Sequence, residues 1–216
     1  RGQERVYGHL EGVESVRACV EAAVEAGVRY LSLYAFSEEN WNRPEAEVTA
    51  RMELMVKAMA DEMDSLDKNG VRFVVLGNRA RLADELNATI DSCMERTKDN
   101  KTLTLIIFLS YSGKWDILQA ARKMAEEMAA SPERRQEIEE MGVDGFDRYL
   151  VTAGVPDPDL IVRTSGESRL SNYLLWQGAY SELLFVDTLW PDFRKPQFHS
   201  ALESYAKRDR RYGKVK

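Results

Sequence analysis

Apolar positions along the chain alternate between helical spacing and short continuous runs. Apolar residues three and four apart predict a first helix over 13–26, and the run VRYLSLYA predicts a buried strand over 28–35. A longer stripe, opened by Pro44 and closed by Asn69-Gly70, predicts a helix over 45–69. The same criteria predict strands at 71–76, 103–109, 160–164 and 183–187, and helices at 79–97, 115–130, 133–141, 144–153, from about 171, and at 195–206.

The alternation of strands and helices predicts an α/β fold, with one largely parallel central sheet covered by helices. All of residues 1–216 are assigned to a single domain. Ligands of such folds bind beyond the carboxyl ends of the strands. The loops at 36–43, 110–115 and 164–171 each follow a strand, so we expect them to share one rim and to carry the chemistry.

Composition narrows the classes of protein that remain. The chain is 44% hydrophobic and 31% charged, which suits a folded domain and excludes disorder. Two cysteines 74 positions apart, Cys19 and Cys93, exclude a zinc module and a disulfide scaffold. Without an apolar run of about 18 residues or a signal-peptide pattern, the expected location is the cytoplasm. The formal charge of −6 argues against nucleic acid as a partner.

Two arginines stand six positions apart in RTSGESRLSN, around a turn of small residues. Arg163 and Arg169 could bind phosphate oxygens with their guanidinium groups, and Ser171 could cap a following helix. We call residues 163–171 the cradle, since two arginines suit a diphosphate. The alternative is that both arginines form ion pairs with carboxylates such as Glu167, and spacing alone leaves both interpretations open.

The loop after the first strand, FSEENWNRP, is polar at a position where ligands bind. It could form a site, or Ser37 and Asn42 could satisfy backbone groups while Trp41 packs as a lid. His9 lies between glycines in an expected turn, four residues after Arg5, and could bind a phosphate or only cap a helix. The chain lacks the HExxH, GxxxxGK[ST], GxGxxG and GxSxG motifs, which weakens zinc, nucleotide and hydrolase hypotheses.

Four segments resemble the cis-prenyltransferases, in particular the bacterial undecaprenyl diphosphate synthases. They are FSEENWNRP (36–44), SYSGKWDI (110–117), VRTSGESRLSNYLLWQGAYSELLF (162–185) and WPDF (190–193). The resemblance implies a transferase that condenses isopentenyl diphosphate repeatedly, with cis geometry, onto an allylic diphosphate, expected to be farnesyl diphosphate. The implied product is a long polyprenyl diphosphate, the undecaprenyl lipid carrier precursor for cell-wall synthesis. The resemblance also implies Mg²⁺ as cofactor and a homodimer.

The resemblance assigns roles to residues on the cradle side of the site. Arg163, Arg169 and Ser171 match residues that bind isopentenyl diphosphate, with Arg43 beside them. Glu182 matches an acidic residue near that site and its magnesium ion.

Other residues match the allylic side and the reacting ends. Arg5 and His9 match contacts of the allylic diphosphate, with His9 as a proton or hydrogen-bond partner. Ser37, Asn40 and Trp41 match the loop that closes over the reacting ends, where Ser37 and Asn40 help in proton removal.

The chain departs from the family pattern in two places. The family's opening strand and its Asp-Gly-Asn-Gly-Arg-Trp motif, whose aspartate binds magnesium, do not occur in the printed residues. We expect that they are missing from the printed sequence rather than from the native protein. Ser110-Tyr-Ser replaces the Asn-Tyr-Gly of many relatives, which we expect to affect packing more than chemistry.

Product length in the family depends on a tunnel for the growing chain. Ala35, small and beside the 36–43 loop, is expected to border it and to leave room for long products. The methionine stripe at Met52, Met55, Met59 and Met63 could form its wall, or could be ordinary core.

The tail KRDRRYGKVK (207–216) holds six basic residues and one acid. It could be a solvated terminus, could contact anionic lipid at the inner membrane face, or, through Arg211 and Gly213, could match the family's RxG element at the partner subunit's site. The alternative function is a non-catalytic partner subunit or diphosphate-binding module of the same fold.

Overall fold

The computed structural model describes residues 5–210, with side chains from residue 11 onward. In chain order its helices and strands are α1 (Arg5–Glu25), β1 (Tyr30–Ser37), α2 (Glu45–Lys68), β2 (Val71–Leu76), α3 (Asp84–Thr97), β3 (Leu103–Tyr111), α4 (Gly113–Ala130), α5 (Pro132–Glu140), β4 (Leu160–Arg163), β5 (Glu182–Phe185) and α6 (Lys195–Ala206). Short 3-10 helices cover Glu38–Asn42, Arg79–Arg81, Val143–Tyr149 and Trp190–Asp192.

The strands are parallel, as predicted, but across residues 5–210 they form two sheets rather than one. The larger sheet has the order β1-β3-β2, and the smaller one pairs β4 with β5. Tyr30 lies opposite Thr104, and Leu160 lies opposite Glu182. The central strand β3 is the most deeply buried, because α1, α2 and α3 cover one face of the larger sheet and residues of the turns around 151–155 and 173–174 cover the other.

A cavity of about 850 Å³ separates the two sheets. Its walls include every residue of 28–35 and of 160–164. Successive residues of a strand point to opposite faces, so a cavity that contacts all of them runs along the edge of the strand. The cavity therefore lies between the edges of β1 and β4 that have no sheet partner among the described residues.

Four predicted elements differ from the structure. The helix predicted at 79–97 is a 3-10 helix over Arg79–Arg81 followed by α3. The helix predicted from about 171 is wrong, since residues 171–180 form successive turns. Ser171, Asn172 and Leu174 have φ angles of 50°, 63° and 45°, which a right-handed helix cannot contain. The predicted turn around His9 is part of α1, and the helix predicted at 144–153 is a 3-10 helix.

The hydrophobic core lies mainly between the larger sheet and helices α1, α2 and α3. Met59 and Met63 of α2 are buried there, together with Phe73 and Leu105. None of the described helices combines the length and the apolar character that crossing a bilayer requires.

Candidate active site

The cradle begins at the carboxyl end of β4 with Arg163. Ser165 and Gly166 follow with φ angles of 72° and 68°, which turn the chain sharply. The amide groups of Ser165 and Gly166 donate to the carbonyls of Thr188 at 2.9 Å and Val186 at 3.0 Å, so the turn is fixed against the segment after β5. The Arg163 Nε is buried and has no hydrogen-bond partner within residues 11–210. A buried N–H group without a partner is costly, and an anion would satisfy it.

Arg169 forms the ion pair that one of the two interpretations predicted, and binding of an anion by its guanidinium stays a prediction. Its side chain is 65% exposed and pairs with Glu167. Arg169 also lines the cavity, as do Arg163 and Thr164. Ser171 follows in an exposed turn, does not line the cavity and caps no helix, because the predicted helix is absent.

The 36–43 loop continues from β1 as a short 3-10 helix. The Ser37 amide donates to Asn40 Oδ1 at 3.1 Å, so Asn40, rather than Asn42, satisfies the helix entry. The Trp41 indole donates to Ser110 Oγ at 2.8 Å, and its ring packs edge-on against Phe36 at 5.2 Å between centroids. Trp41 is therefore held in place by specific contacts.

Ser110 holds the base of this loop. It is fully buried at the carboxyl end of β3, with a φ angle of 52°. Its hydroxyl donates to Glu38 Oε1 at 2.5 Å while accepting from the Trp41 indole. Glu38 also accepts from Arg81 at 2.8 Å, and the Arg81 guanidinium lies 4.8 Å from the centre of the Trp41 ring. Ser110 thus contacts the loop that carries candidate catalytic groups through hydrogen bonds as well as through packing.

Arg43 follows the loop but does not line the cavity. Its guanidinium donates to Glu47 Oε1 at 2.7 Å, and Arg51 lies 3.5 Å from the same oxygen. The structure therefore places Arg43 just before α2, paired with a carboxylate of that helix, and its expected place beside the cradle stays a prediction.

Glu182 does not lie beside the cradle in this chain, which corrects the expectation. It opens β5 opposite Leu160, whereas Arg163 ends β4 opposite Phe185. Three residues of strand separate the two positions, or about 10 Å. The Glu182 carboxylate accepts from Arg208 at 2.7 Å. The register of two short parallel strands, which no motif encodes, accounts for this difference.

Helix α2 presents two neighbouring faces, and the methionine stripe lies mainly on the core face. Met59 is buried in the core and Met52 packs against it, and neither lines the cavity. Both are therefore core residues rather than tunnel wall. Ala35 and Met55 do line the cavity, with the rest of the α2 cavity face formed by Arg51, Leu54 and Ala58. These positions recur at three and four residues, as one side of a helix requires.

Four candidate positions lie outside the described side chains. Arg5 and His9 belong to α1 by their backbone only, and Arg211 and Gly213 fall beyond residue 210. The nearer part of the tail is bonded to the fold: Arg208 pairs with Glu182, and Arg210 pairs with Asp159 and donates to the Tyr180 carbonyl at 3.2 Å. The expectation of a solvated tail is therefore wrong for these two arginines.

The chain was next compared with known proteins. Residues 1–213 match the prenyltransferase family model described as "Putative undecaprenyl diphosphate synthase". The chain belongs to this family. An isoprenyl transferase of Chlorobaculum tepidum is 45% identical over 215 residues, which cover 100% of this chain and 80% of the relative. This prenyltransferase is also 44% identical, over 99% of its length and 87% of the relative, to a Haemophilus ducreyi protein named ditrans,polycis-undecaprenyl-diphosphate synthase ((2E,6E)-farnesyl-diphosphate specific).

A solved structure supports the fold of this prenyltransferase. A probable undecaprenyl diphosphate synthase from Campylobacter jejuni superimposes with a TM-score of 0.83 at 30% identity, covering 99% of this chain and 95% of that one. The chain is thus an α/β transferase of isoprenoid biosynthesis.

Prenyltransferases of this family generally use a divalent metal, so the donor set at the cradle matters. Among residues 11–210, no three His, Cys, Asp or Glu side chains group as a metal site would require. Two carboxylates do lie at the cradle. Glu167 pairs with Arg169, and a Cβ placed on Gly166 would lie 3.4 Å from Asp187 Oδ1. Mg²⁺ is commonly held by one or two carboxylates together with substrate phosphates, so these residues fit a metal that arrives with a diphosphate.

Proposed function

We propose that this prenyltransferase condenses isopentenyl diphosphate repeatedly, with cis geometry, onto farnesyl diphosphate to give a long polyprenyl diphosphate. The observation that carries the proposal is the buried Nε of Arg163 at a cavity that apolar side chains such as Leu54 and Met55 also line. A diphosphate needs the first feature and an isoprenoid chain needs the second. The name of the Haemophilus relative supports farnesyl diphosphate as the allylic substrate.

Each condensation forms one carbon–carbon bond, releases the allylic diphosphate and removes one proton. Arg163 and Arg169 would hold the diphosphate of isopentenyl diphosphate, with Ser171 beside them. The 36–43 loop borders the same rim, where Trp41 would exclude water from the reacting ends. Asn40 and Ser37 would orient the proton that leaves, since an amide and a hydroxyl position a proton better than they remove it.

The proposal includes Mg²⁺, held by Asp187 or Glu167 together with substrate oxygens. When bound, it would neutralise the charge that develops on the departing diphosphate. The Glu182–Arg208 pair lies at the other end of the small sheet, so Glu182 would need a rearrangement to contribute. We further propose that the protein forms a homodimer and that its tail contacts anionic lipid. Its product would supply the cell-wall lipid carrier.

Product analysis tests this function. The full-length protein is incubated with isopentenyl diphosphate, farnesyl diphosphate and Mg²⁺, and the products are sized by mass spectrometry and assigned as cis or trans by proton NMR. Long products with new cis double bonds are expected. Trans products, or a single condensation, would contradict the proposal.

Ala35→Leu tests whether the cavity holds the growing chain. Ala35 is exposed and lines the cavity, so the added bulk enters open space rather than packed core. We expect shorter products and an almost unchanged melting temperature. Ala23→Leu is the matched control, because Ala23 is fully buried and overpacking there should cost about 1–3 kcal/mol. If Ala35→Leu lowers the melting temperature and the protein still makes full-length product, the assignment of the cavity as the tunnel is wrong.

A further inference from the structure

Asn172 forms hydrogen bonds to two of the three rim loops and directly follows the third in sequence. Its side-chain Nδ2 donates to Glu39 Oε1 of the 36–43 loop at 2.7 Å. Its Oδ1 accepts from the Lys114 amide at 2.9 Å, and its carbonyl accepts from the Gly113 amide at 2.7 Å, both at the start of α4. Asn172 itself follows Ser171, the last residue of the cradle. One side chain therefore joins segments that are 133 and 58 residues away in sequence.

The backbone at Asn172 suits asparagine in particular. Its φ angle of 63° is left-handed, which asparagine adopts more readily than most other residues. The next residue anchors the position in the sheet, since the Tyr173 hydroxyl donates to Ser32 Oγ at 2.8 Å and its ring stacks on Tyr34 at 4.6 Å. The amide of Asn172 is thus presented to Glu39 from a fixed base.

The surroundings of Glu39 favour the ionised form of its carboxyl group. Partial burial of its carboxyl opposes ionisation, but the hydrogen bond from Asn172 and bonds within the loop outweigh it and hold the pKa of Glu39 below its usual value. The contact is therefore an amide donating to a carboxylate, which is stronger than a bond between neutral groups.

We propose that Asn172 is a positioning residue that couples occupation of the cradle to the placement of the 36–43 loop over the substrates. The inference rests on the proposed function, because it assigns the cradle to isopentenyl diphosphate. Neither Asn172 nor Glu39 needs to touch the reacting atoms. Their bond holds the loop that carries Ser37, Asn40 and Trp41 at a set distance from Ser171.

An exchange of groups tests the coupling. Asn172→Asp keeps the size of the side chain and the acceptor for the Lys114 amide, but it places two carboxylates together. We therefore expect kcat to fall and the KM for isopentenyl diphosphate to rise. Together these changes should lower kcat/KM about 10- to 100-fold. Glu39→Gln alone should have a smaller effect, because Asn172 can still donate to the carbonyl oxygen of the new amide. The double variant restores a donor and an acceptor, since the amide introduced at position 39 can donate to the carboxylate introduced at position 172. It should recover kcat/KM to within about threefold of the unchanged protein.

Asn69→Asp is the matched control, because Asn69 is an exposed amide at the end of α2 that donates only to its own helix at the Ser65 carbonyl. Its kinetics should not change. The inference would be overturned if Asn172→Asp had the same kinetics as the unchanged protein. It would also be overturned if kcat/KM of the double variant were no higher than that of Asn172→Asp. A merely structural role would lower the melting temperature of Asn172→Asp without rescue of kcat/KM by Glu39→Gln.

Calorimetric binding of isopentenyl diphosphate separates this inference from the proposed function. If the unchanged protein binds it but makes no product, the proposed function fails, and the coupling is judged from dissociation constants in the same four proteins. Weaker binding by Asn172→Asp with recovery in the double variant supports the inference. Absence of binding by the unchanged protein overturns both.

Discussion

Arg163→Ala should lower kcat/KM for isopentenyl diphosphate by about 10²-fold or more, mainly through a higher KM. The side chain ends β4 with a buried Nε that has no hydrogen-bond partner within residues 11–210, so a substrate anion is the group that would satisfy it. Steady-state kinetics at saturating farnesyl diphosphate measure the effect.

Two further variants make this result specific. Arg163→Lys should recover only part of the loss, because an ammonium group cannot form two parallel bonds to a diphosphate. Arg122→Ala removes an exposed arginine from α4, on a surface away from the cavity, and should leave the kinetics unchanged. Equal kinetics for Arg163→Ala and Arg122→Ala would refute the assignment of the cradle.

Asn40 variants should show the second large effect, this time on kcat. Asn40→Ala should lower kcat by about 10²-fold with a smaller change in KM, if the amide orients the departing proton. The substitution also removes the acceptor of the Ser37 amide, so Asn40→Asp is needed beside it. A carboxylate keeps that acceptor but lacks the amide N–H.

The two Asn40 variants separate a role in catalysis from a role in helix capping. Loss of kcat in both supports the role at the reacting ends. Full activity of Asn40→Asp would show that Asn40 matters only as a cap for the 3-10 helix. Asn42→Ala, an exposed amide in the same short helix, serves as the control and should retain kcat.

Elements bounded by strong local signals were predictable from the sequence. The predicted strand at 71–76 coincides with β2, and the helix predicted over 45–69 ends one residue later than α2. Pro44 and Gly70, with a φ angle of 68°, mark the ends of that helix for reasons local to the chain. The segment 171–180 was not predictable, since left-handed angles at Ser171 and Leu174 come from packing and not from residue type.

The site was predictable in its loops but not in its contacts. Parallel strands end on a common rim, which correctly brings the 36–43 loop and the cradle to one side of the fold. The hydrogen bond between Asn172 and Glu39 joins residues 133 positions apart, and no periodicity or motif in the sequence predicts it. Glu182 shows that a motif match can also mislead. The motif predicted a position near the cradle, whereas the strand register places Glu182 at the other end of the smaller sheet.

Transfer of label from isopentenyl diphosphate tests the central claim most directly. The full-length protein receives radiolabelled isopentenyl diphosphate and Mg²⁺, with or without farnesyl diphosphate, and butanol-extractable label and released diphosphate are both counted. We expect extractable label only when farnesyl diphosphate is present, with one diphosphate released for each isopentenyl unit incorporated. Bound isopentenyl diphosphate with no label transferred and no diphosphate released would contradict it, and would identify a diphosphate-binding protein of the same fold.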